Sequence, residues 1–205
     1  IMNPGKDRIL ITGASGFVGK SLCAFLTAHD FEVVASARHF SADVVCSRFI
    51  ALDLASEKFS HEHLQGVSTV IYLAGIAHAG RQSNIPAHEY QQINCDAAIA
   101  LAMLAMCNGV RHFHYVSSVK AMGYDSCERI LAEHDGVTPV DNYGFSKKNA
   151  EQKLLALADR NVMKITISRP VLVYGAGVKG NLAHLAEWAS VPWLPCTITH
   201  RDCAW

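Results

Sequence analysis

The chain has 205 residues, half of them hydrophobic, and its 18 basic side chains balance its 18 acidic ones. That length suffices for one domain with a sizeable core, and the composition excludes a disordered or fibrous class. Zero net charge leaves no basic footprint for nucleic acid or for a membrane surface, and apolar runs such as 97–107 are too short to span a bilayer. No basic segment followed by an apolar one opens the chain, so the expectation is a cytoplasmic protein. The seven cysteines form no Cys-x-x-Cys pair, which fits free thiols better than a disulfide framework. The close histidine pairs, His61/His63 and His112/His114, are two residues apart, which is not a helical ligand spacing, so no metal site is expected.

Short β-rich runs alternate with longer helical ones. Arg8–Thr12 is an apolar strand, Phe17–His29 has helical periodicity, and Phe31–Ala37 is a second strand. Arg48–Leu52 and Thr69–Leu73 are strands three and four. Pro86–Cys107 is a long helix that stops at Asn108-Gly109. Arg111–Ser117 is strand five, Tyr143–Asp159 a second long helix, and Met163–Arg169 strand six. Apolar strands separated by helices predict an α/β fold, a doubly wound parallel sheet covered on both faces.

The first strand runs straight into Thr12-Gly13-Ala14-Ser15-Gly16-Phe17-Val18-Gly19. Such a strand-to-helix turn needs a residue tolerant of positive φ, a backbone open to a pyrophosphate, and close packing of helix on strand. Free amides at the start of the new helix favour the anion. In this context the glycines predict a dinucleotide site of the Rossmann type, with contacts at Gly13, Ser15, Gly16, Phe17, Val18 and Gly19. An acidic residue some twenty positions on would bind the ribose hydroxyl of NAD. Ala37 stands there instead, followed by Arg38. A guanidinium suits the 2′-phosphate of NADP, and it equally suits a solvent-facing strand end; the cofactor is NAD or NADP, with a lean to NADP.

Other stretches then fall into order. Asp53-Leu54 follows strand three, Leu73-Ala74-Gly75 ends strand four, and Asn94 lies in the long helix. Val116-Ser117-Ser118 ends strand five, Tyr143–Lys147 reads YxxxK, and 169–175 reads RPVLVYG. Together these resemble the extended branch of the short-chain dehydrogenase/reductase superfamily, and within it the NAD-dependent epimerase/dehydratase family with its UDP-glucose 4-epimerase-like enzymes. The resemblance implies adenine-edge contacts at Asp53 and Leu54, and cofactor contacts at Leu73, Ala74, Gly75, Asn94, Pro170 and Val173. It implies a catalytic serine five residues before Gly123, which is Ser118, with Tyr143 and Lys147 completing the group and also contacting the cofactor, Lys147 at the nicotinamide ribose. Ser118, Tyr143, Asn181, Leu182 and Arg201 would contact a UDP-sugar. Residues 1–175 would form the dinucleotide-binding domain and 176–205 a truncated start of the substrate domain.

The acid–base reading of Tyr143 also has a physical basis. By itself a tyrosine four residues before a lysine is more often a half-buried ring beside a solvated ammonium. Residues four apart share a helix face, and a nearby ammonium favours phenolate in a phenol that ordinarily ionises near pH ~10. Tyr143 could then take a proton from a sugar hydroxyl while hydride leaves the same carbon. Dehydratases of the family carry Asp-Glu after the catalytic residue; Val119 and Lys120 stand there, so epimerisation or keto-sugar reduction is expected, with a non-catalytic NAD(P)-binding module as the alternative. Relatives pair through the two long helices, and Ile99, Met103, Leu154 and Leu157 are expected to face outward in a homodimer.

Overall fold

The computed structural model describes residues 7–76, 85–124, 132–158 and 163–175. The expected domain boundary at 175/176 and the substrate contacts at Asn181, Leu182 and Arg201 lie outside these residues.

Strand β1 (Arg8–Thr12) is buried along nearly its whole length. Its neighbours are β2 (Glu32–Ala37) on one side and β4 (Val67–Tyr72) on the other, both parallel to it. With β3 (Arg48–Ala51), β5 (His112–Val116) and β6 (Lys164–Ser168) the sheet runs β3-β2-β1-β4-β5-β6. Chain order therefore reverses between β1 and β4. Ligands of open parallel sheets bind at such a reversal, beyond the carboxyl ends of the strands.

Alternation along β1 separates two cores. Ile9 and Ile11 pack with Val33, Ala35 and Cys23 of helix α1 (Phe17–Ala28). Leu10 faces the other way, into a larger cluster with Val70, Tyr72, Phe113, Tyr115, Leu101 and Leu154. Strands buried on both faces read as unbroken apolar runs, which is why β1 is found with the bounds its sequence predicts.

The helix expected over Pro86–Cys107 is continuous but not uniform. It comprises α2 (Ala87–Tyr90), a π-helical segment over Gln91–Asp96, and α3 (Ala97–Cys107). Small residues at Ala98, Ala102 and Ala105 let α3 lie close on the sheet. It stops as expected: Gly109 takes φ 72°, Val110 N–H donates to Ala105 O at 3.0 Å, and Gly109 N–H donates to Met106 O at 3.2 Å.

Helix α4 (Asn142–Ala158) begins where the backbone N–H of Gly144 donates to Asp141 Oδ1 at 2.6 Å. The outward face expected for the long helices is partly wrong. Leu154 is fully buried in the sheet-side core, and Ile99 and Leu157 pack against that core. The exposed large apolar side chains on α3 and α4 are Met103, Phe145 and Leu155.

Candidate active site

At the end of β1, Gly13 has φ +66°, and a Cβ there would come within 2.7 Å of Ala74 N. A Cβ on Gly19 would collide with Gly13 O. Both positions exclude a side chain, one by backbone conformation and both by contact. Gly16 caps α1 without any side-chain hydrogen bond, and Ser15, Gly16 and Val18 are exposed. The loop is thus a cradle with open amides at a helix start, which fits a dinucleotide pyrophosphate. Thr12 Oγ1 accepts from Ala74 N–H at 3.1 Å and so locks the loop to the end of β4.

The flanking contacts are laid out around this cradle. Ala37 is buried at the end of β2 and Arg38, the next residue, is exposed. Asp53 Oδ1 accepts from Ala55 N–H at 3.0 Å, while Asp53 N–H donates to Glu57 Oε2 at 2.6 Å. Glu57 thereby shapes the turn after β3. Leu54 is half-buried against the larger core, and Leu73 packs towards α1. A cavity of about 340 Å³ opens between loop 54–59 and Gln92, Asp96, Ala97, Ala100, Leu101 and Leu104. None of Ser118, Tyr143 or Lys147 lines it.

Gly75, beyond β4, meets two of the expected residues at once. A Cβ on it would lie 2.8 Å from Asn94 Oδ1 and 3.4 Å from Lys147 Nζ. Asn94 is fully buried in the π-helical segment. Its Oδ1 accepts from Ile76 N–H at 2.8 Å, and its Nδ2 donates to Ile76 O at 3.1 Å and Ser146 Oγ at 3.0 Å. Ser146 in turn donates to Tyr143 O at 2.8 Å.

Ser118 begins a single 3₁₀ turn, Val119–Met122, and its hydroxyl accepts from Lys120 N–H at 3.3 Å. Its neighbour Ser117 is buried, and its hydroxyl makes no hydrogen bond among the described residues. Burial pushes the Tyr143 phenol above its ordinary range; a hydrogen bond with Ser118 pulls the other way, and Asp141 adds to the rise. The sequence reading has Lys147 lowering this phenol. In the structure Ser118 pulls it down. Lys147 Nζ donates to Val116 O at 2.9 Å and lies 4.8 Å from the centroid of the Tyr115 ring.

Lys147 is 4% exposed. Burial pulls its ammonium down to about 8, against the opposing effect of Glu151 one turn on. Glu151 is itself buried and takes Arg169 in a forked pair, Nε to Oε1 at 3.0 Å and Nη2 to Oε2 at 2.7 Å. The RPVLVYG segment is thereby tied to α4. Pro170 O accepts from Val119 N–H at 3.1 Å, next to Ser118. Val173 is exposed, and a Cβ on Gly175 would lie 3.7 Å from the Phe17 ring, so the segment returns to the glycine loop. Sequence reasoning missed Glu151; the signal was an acid four residues after Lys147, with an arginine closing β6.

A parallel sheet with a glycine-loop cradle, and a Ser–Tyr–Lys group at the same edge, defines a dinucleotide-binding protein of the short-chain dehydrogenase/reductase kind. The chain belongs to the NAD dependent epimerase/dehydratase family, whose model matches residues 9–190. It is 34% identical over 185 residues to a UDP-glucose 4-epimerase of Vibrio cholerae, covering 89% of this chain and 56% of that protein. It is 27% identical over 187 residues to an N-acetyl-alpha-D-glucosaminyl-diphospho-ditrans,octacis-undecaprenol 4-epimerase of Escherichia coli O157:H7, covering 89% and 54%. The structure of MoeE5 in complex with UDP-glucuronic acid and NAD superposes with a TM-score of 0.75 at 31% identity, over 84% of this chain and 57% of that one. The chain thus spans about half the length of the curated relatives it matches.

The depressed lysine makes a stability prediction. Between pH about 8 and its ordinary 10.5, the unfolded chain holds a proton at Lys147 that the folded chain has released. Stability therefore rises with pH across that window on this residue's account. Urea unfolding of wild type and Lys147→Met, compared from pH 7 to 10, should show wild type gaining on the order of 2 kcal/mol relative to the variant. The raised thiols of Cys23, Cys46 and Cys95 cancel in the comparison. Parallel pH profiles would mean the ammonium is not held out of water.

Proposed function

We propose that this chain forms the dinucleotide-binding part of a nucleotide-sugar epimerase that moves hydride at a sugar carbon, with a UDP-hexose as substrate. The observation that carries the reading is that α4 starts against the turn after Ser118, a Cβ on Gly144 falling 2.6 Å from Lys120 O, at the sheet edge where the glycine loop opens. When bound, the nicotinamide ring supplies hydride uptake and return. Gly13, Gly16 and Gly19 leave room for the pyrophosphate, and Asn94 with Lys147 borders the adjacent face. Ser118 would hold the reacting oxygen, and Tyr143 would exchange a proton with it. A phenol raised by burial starts as the proton donor; charge brought in by a bound cation lowers it and lets it accept. Val119 and Lys120 offer no carboxylate pair for eliminating water.

The second reading is an NADPH-dependent keto-sugar reductase. Arg38 favours it, exposed beside Ala37 where an acid would select NAD. MoeE5 is described with NAD, so cofactor choice is the point that separates the two readings. We further propose that the chain pairs with a second copy through Met103, Phe145 and Leu155.

With UDP-glucose and added dinucleotide, Tyr143→Phe should lose at least roughly a hundredfold in conversion while its dinucleotide affinity stays at the wild-type level. A wild-type chain that binds the dinucleotide but converts no UDP-hexose or keto sugar would favour a non-catalytic binding module. In fluorescence titrations NADPH should bind more tightly than NADH, and Arg38→Ala should cost NADPH roughly tenfold and NADH nothing. Tighter NADH binding by wild type would remove the NADP preference. Analytical ultracentrifugation should give a dimer that Met103→Glu with Leu155→Glu converts to monomer; a wild-type monomer would end the pairing proposal.

A further inference from the structure

We propose that Tyr115 is a positioning residue of the candidate site: its ring supports the Lys147 ammonium and its hydroxyl holds the turn that carries Asn94. The functional weight of this inference rests on the reading of Lys147 and Asn94 as cofactor-side residues.

Tyr115 is fully buried on β5, in a row with Tyr72 and Phe113. Filling this core asks only for a large ring, and Phe113 meets that need with no polar atom. A buried hydroxyl is costly unless it finds a partner. Tyr115 Oη donates to Asn94 O at 2.7 Å, and Tyr72 Oη donates to Ile93 O at 2.7 Å. Two consecutive carbonyls of the π-helical segment thus take hydrogen bonds from two adjacent strands. In this wide turn the N–H of Ala97 reaches back to Gln92 O, five residues rather than four. Such turns depart from the regular ladder and are held by groups that enter from the side. The rotation they impose turns the Asn94 side chain onto Ile76 and Ser146.

The ring has a separate task. Lys147 Nζ stands 4.8 Å from its centroid, where the negative face of the ring favours the charged form. Around the same ammonium stand Glu151 from its own helix, Val116 O from β5, and Asn94 across Gly75 from beyond β4; Arg169, after β6, neutralises Glu151. Phenylalanine at 115 keeps the ring and loses the hydroxyl, whereas leucine loses both. The two tasks can therefore be separated.

The test is NMR on the 205-residue chain, with labelled lysine and asparagine side chains. Tyr115→Phe should leave the Lys147 titration midpoint unchanged and speed exchange of the Asn94 side-chain amide roughly tenfold. Tyr115→Leu should do the same to Asn94 and also lower the Lys147 midpoint by roughly half a pH unit or more. Should Tyr115→Leu fail to fold, pentafluorophenylalanine at position 115 keeps the shape, reverses the ring face and lowers the midpoint likewise. Phe113→Leu, in the same row, should lower only the thermal midpoint of unfolding. An unchanged Lys147 midpoint in the leucine or fluorinated variant would overturn the ring's role. Asn94 exchange in Tyr115→Phe no faster than in Phe113→Leu would overturn the hydroxyl's role. Neither readout needs a dinucleotide, so a wild-type chain that fails to bind NADH or NADPH would sink the proposed function while Tyr115 is still decided.

Discussion

The arrangement of the site follows from one requirement: the ammonium of Lys147 lies almost out of reach of water and must be surrounded by groups that tolerate a positive charge. An isolated charge in such a place costs several kcal/mol or more, by order of magnitude, unless acceptors and counter-charges surround it. The carbonyl that closes β5 supplies one acceptor and the ring of Tyr115 a negative face. Glu151 supplies the counter-charge from one turn along α4, and a buried carboxylate needs its own partner. Arg169 provides it from the end of β6. One buried cation thus fixes how β5, α4 and β6 end relative to each other. Those three ends place Ser118, Tyr143 and the RPVLVYG segment at one edge.

Much of the scaffold was legible because its signals are local. The strand pattern is a matter of apolar runs, and the glycine loop of two positions, Gly13 and Gly19, that cannot carry a side chain. The stop after α3 rests on the single backbone conformation that Gly109 takes. What was not legible is non-local. Nothing in the alternation of small and large apolar residues across 87–107 announces a π-helical segment, because its cause lies in hydroxyls on two strands. Tyr72 and Tyr115 read as ordinary aromatic strand residues, and the sequence has no way to say that their oxygens are aimed at a helix.

The misreading of Leu154 has a similar origin. The stretch KLLALA has apolar residues at adjacent positions, so helical periodicity alone leaves the inward one undetermined. The rotation of α4 is set by its polar residues. Lys147, Glu151 and Ser146 must all face groups on the sheet and on the π-helical segment. Once those three point inward, Leu154, three residues after Glu151, points inward too, and Leu155 is left outside. Here the buried charges decide which apolar face becomes core.

The same constraint governs the chemistry of Tyr143. Partial burial raises the Tyr143 phenol and nearly full burial lowers the Lys147 ammonium, so each is shifted towards its neutral form. At neutral pH the charges of the site are the Lys147 ammonium, still protonated below about 8, and the paired Glu151 and Arg169. Its proton affinity is consequently sensitive to any charge that enters, because little water remains to screen it. Among the described residues Ser118 pulls the phenol towards phenolate. A cation arriving beside Tyr143 would add to that bias, and its neutralisation would remove it. On the proposed reading of Tyr143 as the proton-exchanging group, the charge state of the bound partner would then set the direction of transfer.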